Sequence, residues 1–515
     1  MATFFQWRRF NFFDLSKDVD GGEIEKIFSS DEPPTLTDTS SGRGHLILGD
    51  SQGQLHFMNR HLKIHSMRVF QRKVYLIHQM RQSGLVVVIG EDDVGVNPYI
   101  KVYNLDKPDK SGCPTLVRSV KWNRTFAVGC IRANTFPTRS RMSRLVFPGS
   151  RVSVPVSLSA SESQNLVAVG FENGVVLLQR GDINRERGIK QRVLLEEPAT
   201  AGGQSPVTGL SFKTLGKAAY LFISTASAIY SYDVTVKDKE KKSSLDSLGC
   251  EKGLAIPVDN LSDAHFMTGR NDAVYCYTPE SRGQCYAFDG RKAALHYFRN
   301  YLVVVSVDGG GGGGGGGGGP RTSPTSVVQQ GAPSQVKHVL TVFDVANKFV
   351  AFTAPVKPVK ALLSEWGLLF AITEDNRLFQ LTEKDIQAKL DLLFKKNFYD
   401  IAVKIAKSQQ YDEDGLVDIF KQYGDHLYTK GDYSTAIDNY GGHDKDEGVV
   451  VFLLLHFQPN LFIISPSSGT RVVIRGKVYD YCSQNDRPSR TVVCYSKISR
   501  RAQDSSSDGL PAGAS

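Results

Sequence analysis

Leu46-Ile47-Leu48-Gly49-Asp50-Ser51-Gln52-Gly53-Gln54-Leu55-His56-Phe57 is the stretch that decides the fold. A short apolar run meets a Gly/Asp turn, and a second run then alternates apolar and polar residues. That pattern is a strand hairpin, because Gly, Asn and Asp tolerate the positive φ that tight turns require. The phrase returns at 85–105, where Val86-Val87-Val88-Ile89-Gly90-Glu91-Asp92-Asp93 leads to Ile100-Lys101-Val102-Tyr103-Asn104-Leu105. It returns again as Leu166-Val167-Ala168-Val169-Gly170-Phe171-Glu172-Asn173-Gly174-Val175-Val176-Leu177. Further copies lie near 219–234, 265–278, 301–344 and 367–381, seven units in all.

The period carries the physical argument. A unit of roughly 40–45 residues fits one four-stranded propeller blade, and a closed ring of blades protects the sheet edges. The sequence therefore predicts an all-β seven-bladed propeller over residues 1–381, without Trp-Asp signatures. Trp7 to Asp14 reads as another strand, predicted to pair into the last blade and close the ring. The competing arrangement is a pair of β-sandwiches.

Two stretches break the rhythm. Residues 118–151 hold Arg118, Lys121, Arg124, Arg132, Arg139, Arg141, Arg144 and Arg151 and no acidic residue. We read them as a surface insertion between blades in preference to a basic patch for nucleic acid or acidic lipid. The second break is the run Gly309 to Gly319 with its continuation through Pro333, read as a disordered poly-Gly loop at 309–335 inside a blade.

From Glu383 the period becomes helical. Ile386, Leu390 and Leu393 share a face; a second helix is predicted at about 398–408 and a third at about 413–429, with a fourth starting at Asp432. Small residues at Gly424 and Ala436, with Gly431 between, resemble a tetratricopeptide-type helix pair. Such pairs bury their faces only by stacking. Residues 383–440 thus read as the start of an α-solenoid of clathrin-repeat or tetratricopeptide kind. Residues 441–515 fit neither architecture and are expected to be an atypical, largely disordered C-terminal tail.

Composition sets the remaining bounds. The 515 residues carry 62 Lys+Arg against 53 Asp+Glu, a formal charge of +9. Of this, +8 falls in 118–151 and +2 after Tyr440, so the rest of the chain is close to neutral. Apolar residues make 41%, a globular share. The N-terminus lacks the apolar core of a secretory signal, and the most apolar stretch, Val449 to Ile464, is interrupted by His456, Gln458, Pro459 and Asn460. Any membrane association is expected to be peripheral. Seven cysteines without a C-x-x-C pair suggest reduced thiols.

Catalytic patterns are thin. Gly49-Asp50-Ser51-Gln52-Gly53 matches G-x-S-x-G, but that nucleophile needs a strand-to-helix turn, and Gln54 to Met58 alternates like a strand. A hydrolase using Ser51 is the rival reading. Asp18-Val19-Asp20-Gly21-Gly22-Glu23 hints at a calcium loop, but its twelfth position is Ile27, where a bidentate Glu is required. Glu91-Asp92-Asp93 reads as a solvated turn. The poly-Gly run contains G-x-G-x-x-G with no helix after it, and Gly209 to Gly216 is spaced wrongly for a P-loop. No catalytic, cofactor-binding or metal residue is assigned, and no partner-binding residue stands out.

The ordered pieces resemble one family. They are Gln6-Trp7-Arg8-Arg9-Phe10 with Phe12-Phe13-Asp14, Gly42-Arg43-Gly44 to Gly53, and Gly90-Glu91-Asp92-Asp93-Val94-Gly95-Val96-Asn97-Pro98. To these add Gly181-Asp182-Ile183, Glu365-Trp366-Gly367, Leu393-Phe394-Lys395-Lys396-Asn397, Ala406-Lys407-Ser408-Gln409 and Gln422-Tyr423-Gly424-Asp425-His426-Leu427-Tyr428. Together they resemble the vacuolar protein sorting-associated protein 11 family, the shared class C core subunit of the HOPS and CORVET tethering complexes. The resemblance runs to about Tyr440 and fails across about 122–150, at the poly-Gly loop and after Gly441.

It implies a propeller, a long α-solenoid and a RING-type zinc domain, in a non-enzymatic tethering protein. The implied setting is cytoplasmic and peripheral on late endosome and lysosome (vacuole) membranes. The implied partners are the other class C Vps subunits, with SNAREs and Rab GTPases reached indirectly and no nucleic acid. The RING cysteines and histidines are not in this sequence, so no zinc or other cofactor is carried over. The chain accordingly reads as a truncated or variant member of the family. The rival within the same architecture is a coat-type propeller–solenoid trafficking protein, clathrin-like or an intraflagellar transport subunit.

Overall fold

A computed structural model describes residues 7–29, 32–93, 98–110, 112–121, 153–185, 189–196, 205–261, 264–308, 337–409 and 413–432, with three strands between 462 and 481. The chain divides into two compact units, Met1–Lys384 and Asp385–Ser515.

The first unit opens with β1 (Arg8–Arg9), β2 (Phe13–Lys17) and α1 (Glu23–Phe28). Blade one follows as β3 (Leu36–Gly42), β4 (His45–Asp50), β5 (Gln54–Met58) and β6 (Ile64–Arg68). Blade two is β7 (Lys73–Gln79), β8 (Leu85–Glu91), β9 (Tyr99–Pro108) and β10 (Pro114–Lys121). Blade three is β11 (Pro155–Ser161), β12 (Leu166–Phe171), β13 (Val176–Arg180) and β14 (Lys190–Leu195). Blade four is β15 (Val207–Leu215), β16 (Ala218–Thr225), β17 (Ile229–Asp233) and β18 (Lys241–Asp246). Blade five is β19 (Ala255–Leu261), β20 (Ala264–Gly269), β21 (Ala273–Tyr277) and β22 (Arg282–Ala287). Blade six is β23 (Lys292–Phe298), β24 (Tyr301–Asp308), β25 (Lys337–Asp344) and β26 (Phe349–Val356). Blade seven uses β27 (Val359–Glu365), β28 (Leu368–Thr373) and β29 (Leu378–Glu383), with β2 as its fourth strand.

Each sheet is a meander, so the seven-bladed propeller stands. Every hairpin read from the sequence is the middle pair of one blade. The ring has two rims. One carries the connections between blades and the turns inside the middle hairpins; the opposite rim carries the other two turns of each blade.

Closure differs in detail from the expectation. The predicted strand at Trp7 to Asp14 splits in two. Arg8–Arg9 pairs in parallel with Phe349 and Val350, giving blade six a fifth strand, and only Phe13–Lys17 pairs antiparallel with Phe379–Glu383 in the last blade. The split follows from the side chains. Phe10, Phe12 and Phe13 are all buried, and Phe12 and Phe13 face different aromatic neighbours, Phe349 at 5.5 Å and Tyr301 at 5.2 Å. Trp7 sits among Tyr286, Phe288 and Phe343.

The predicted insertion starts later than residue 118. Pro114–Lys121 is the outer strand of blade two, and Arg118 is buried there, donating to the Ile183 carbonyl at 3.3 Å. The remainder of that stretch and the poly-Gly loop at 309–335 lie outside the described residues.

The core is not one nucleus but a set of apolar seams. Leu76, Val87, Ile89 and Val102 of blade two meet Val167, Val169 and Leu177 of blade three. Leu166, Val176 and Leu178 meet Leu221, Ile223 and Tyr232 in the next seam. Ile24 and Phe28 of α1 fill the seam between blades seven and one, against Leu46, Met58 and Phe370. Both sides of each sheet are therefore buried, which explains why β8 and β12 read as continuous apolar runs.

In the second unit, α2 (Ile386–Phe394), α3 (Tyr399–Ser408) and α4 (Glu413–Lys430) follow the predicted periods. Asp385 caps α2, accepting from the Ala388 N–H at 2.7 Å. Asn397, at φ 57°, makes the left-handed turn into α3. Tyr399 stacks on Phe394 at 5.4 Å and on Tyr423 at 5.3 Å. The predicted fourth helix lies outside the described residues. Within 441–515, β30 (Phe462–Ile464), β31 (Thr470–Ile474) and β32 (Lys477–Tyr481) form an antiparallel sheet.

Candidate functional site

The G-x-S-x-G pattern is a hairpin turn. A side chain at Gly49 would come within 2.7 Å of Val74 Cγ1 on the neighbouring blade, and one at Gly53 (φ 83°) would strike the Phe70 carbonyl. Both glycines are thus required by packing. Ser51 Oγ accepts the Thr35 N–H at 2.9 Å. The nearby histidine, His56, bonds a different serine: its Nδ1 lies 2.7 Å from Ser66 Oγ and its Nε2 3.3 Å from Asp50 Oδ2. Asp50 also accepts the Gln52 and Gln54 N–H groups, at 2.9 and 2.7 Å. Burial alone would raise the Asp50 carboxyl; the His56 and backbone hydrogen bonds outweigh it and hold it below the usual range. The Asp-His-Ser set is a clamp on the turn, with the acid and histidine inside the seam.

The other patterns resolve in the same way. Asp20, two residues before the Gly22 cap, accepts the Ile24 N–H of the first turn of α1 at 2.8 Å. The Glu91-Asp92-Asp93 segment, read as a solvated turn, is instead a lock. Glu91 accepts the Tyr75 hydroxyl at 2.7 Å, and Asp92 accepts Lys101 Nζ at 2.8 Å and the Gln71 N–H at 2.9 Å. Lys101 lies over the Phe70 ring at 4.2 Å. Gly209 is inside β15 and Gly216 in the turn after it. Among the described residues no cluster of three or more His, Cys, Asp or Glu could hold a metal, and Cys113, Cys250, Cys276 and Cys285 are free thiols.

What the sequence did not announce is how blades are tied to one another. The inner strand of each blade has one unpaired edge, and neighbouring side chains fill it. Asp38 Oδ2 accepts the Ile77 N–H at 2.7 Å, Ser40 Oγ the Gln79 N–H at 3.0 Å, and Ser159 Oγ the Phe212 N–H at 3.3 Å. Alternating small polar residues on β3 were the available signal. Two histidines and Asp38 are the ionisable groups that burial shifts there. Burial, then the Arg81 charge, push His78 and His296 down to about 4, while burial raises Asp38 to about 6 against the Ile77 and Thr39 N–H groups and Lys252.

On the opposite rim the Gly42-Arg43-Gly44 turn braces both neighbours. Arg43 donates to Asp106 Oδ2 at 2.7 Å and the Gln82 carbonyl at 2.8 Å, while the Gly44 N–H donates to Glu365 at 2.8 Å. Two stretches that carry the family resemblance, one from blade one and one from blade seven, therefore meet in a single joint. On the rim of blade connections, a cleft of about 540 Å³ opens over blades three to five, lined by Val156, Glu172, Cys250, Lys252, Arg270 and Asn271 among others. Arg270 is held there by Asp246 at 2.9 Å and the Gly249 carbonyl at 3.0 Å.

The PEP5/VPS11 N-terminal family matches residues 7–383, the span from the Trp7 anchor to the end of the closing blade. The chain belongs to this family. The vacuolar protein sorting-associated protein 11 homolog of Homo sapiens is 36% identical over 456 residues, 85% of this chain and 44% of its own length. The Dictyostelium discoideum homolog is 34% identical, over 84% of this chain and 43% of its own length. The Arabidopsis thaliana homolog is 30% identical, over 85% and 41%. The chain thus spans under half the length of these Vps11 relatives. Among the described residues, no helix is long and apolar enough to cross a membrane.

Proposed function

We propose that the chain is a non-enzymatic scaffold of vacuolar protein sorting, a subunit of HOPS- and CORVET-type tethering complexes. In that role it promotes docking and fusion of vesicles with late endosomes and lysosomes, and serves endosome and vacuole organisation and autophagy. Its partners would be the other class C Vps subunits, at the cytoplasmic face of endolysosomal membranes. The carrying observation is the family match over 7–383, which covers the whole ring and both strands that close it.

The geometry supports action by contact. Blades tied by seams, inner-edge hydrogen bonds and the Arg43 joint form a stiff disc whose rims hold loops in fixed relation. A preorganised surface binds with less ordering cost than a mobile one. The test is affinity purification of the tagged chain from cells, beside a full-length Vps11 relative. Recovery of class C Vps subunits with this chain supports the proposal. Recovery with the relative alone overturns it for this chain, and recovery with neither overturns the role altogether.

A further inference from the structure

The turn between β17 and β18 in blade four sets an exposed apolar residue among lysines. It reads Val234-Thr235-Val236-Lys237-Asp238-Lys239-Glu240-Lys241-Lys242. Val236 stands at its crest and is 54% exposed, an apolar side chain that nothing covers. Lys237, Lys239 and Lys241 follow it in the chain, all exposed, Lys242 lies over the Tyr230 ring, and Lys190 and Arg192 stand exposed on β14 of blade three, where Arg192 reaches Glu240 of the turn.

The turn is held rigidly from beneath. Arg180 donates to the Val234 carbonyl at 2.6 Å and to Glu240 at 3.1 Å, and Arg192 donates to Glu240 at 2.6 Å. The Glu240 side chain is 4% exposed, so this acid is used up inside the joint. Thr235 Oγ1 donates to Asp233 at 2.6 Å and accepts the Ala219 N–H at 2.9 Å. Asp238 is the remaining acid at the crest, 3.7 Å from Arg192 and 3.9 Å from Lys237.

The cations are also crowded. Lys190 beside Lys237 pulls the Lys237 pKa below the ordinary lysine value, with burial and Arg180 adding and Asp238 opposing. Two like charges held together on a surface form a site that an anion would relieve. An acidic peptide would satisfy the lysines but would leave Val236 without a role. A lipid surface accounts for both, because the lysines meet anionic headgroups while the apolar crest enters the interface.

We propose that this blade-four turn, with Val236 as its wedge and Lys190, Arg192, Lys237, Lys239 and Lys241 around it, docks the protein on an anionic membrane. The claim stands on this turn and its β14 neighbours and does not need the tethering role, so each can fail without the other.

The test is co-sedimentation of the full chain with phosphatidylcholine vesicles, with and without phosphatidylserine, at two salt concentrations. The expected result is binding only to the anionic vesicles, weakened by salt. Lys237→Gln with Lys239→Gln should lower the partition coefficient roughly 30-fold, from about fivefold per surface lysine. Val236→Ser, which keeps every charge, should lower it about fivefold. Lys252→Glu with Arg291→Glu, on the other rim, should leave it unchanged. Failure of the unaltered chain to bind anionic vesicles overturns the proposal. So does wild-type binding by either loop variant. Full loss of vesicle binding to competing inositol hexakisphosphate, with Val236→Ser without effect, would mark a soluble-polyanion site and overturn the membrane assignment.

Discussion

In the ring, Phe13 is wholly buried against Tyr301 and Phe352, on a strand that pairs with Phe379–Glu383 from the far end of the same unit. In the helices, Tyr399 packs against Phe394 just before it and Tyr423 and His426 just after. The contacts are of one kind, but their reach along the chain differs. Contacts that join distant segments make a unit unfold together, whereas neighbour-to-neighbour contacts let parts open separately. The ring is thus a cooperative body and the helices a series of local ones.

The strongest way to break this contrast is Phe13→Ala. It should remove about 3–5 kcal/mol, the usual cost of deleting a buried Phe, and lower one melting transition for the entire β signal. A loss confined to blade seven, read by limited proteolysis, would show that the ring is not cooperative. Next in size, Asp50→Ala strips acceptors from two N–H groups and from His56, at about 1–3 kcal/mol in urea unfolding. Ser51→Ala removes one exposed bond and should cost under about 1 kcal/mol. Tyr399→Ala should raise amide exchange across 386–430 by roughly tenfold or more while ring amides keep wild-type rates.

The axis makes stability depend on pH. His78 and His296 are held down to about 4, so the unfolded chain takes their protons first and stability falls as pH drops from about 6.5 toward 4. Asp38 has the opposite sign: raised to about 6, it favours folding at low pH, a contribution lost as pH rises from about 4 through 6. Urea midpoints across that range should fall on acidification less steeply in His78→Asn and His296→Asn, and more steeply in Asp38→Asn.

Much of this was legible in the residues. Each alternating hairpin fell on the middle strands of a blade, because those strands pack on both faces and take the most apolar sequence. The three helices declared themselves through Leu390, Ile401 and Ile419, all buried. The outer strands were harder. Arg282–Ala287 is mostly exposed and polar, and Pro114–Lys121 carries a buried Arg118, so neither looks like a strand in isolation. The split of the closing segment was hidden because Phe10, Phe12 and Phe13 do not say which blade each enters. The Asp50–His56–Ser66 clamp, the Asp38 bond and the Arg43 joint were invisible for another reason: each depends on which blades become neighbours.

Closure of the ring by its own N-terminal strand is the claim on which the rest depends, and native-state hydrogen exchange tests it most directly. Amides of Leu378–Glu383, paired to β2, should exchange with the same free energy of opening as those of Leu85–Glu91 on the far side of the ring, and both should drop by the same amount in Phe13→Ala. Distinctly faster exchange at Leu378–Glu383 in the unaltered chain, with Leu85–Glu91 unmoved by the substitution, would contradict it.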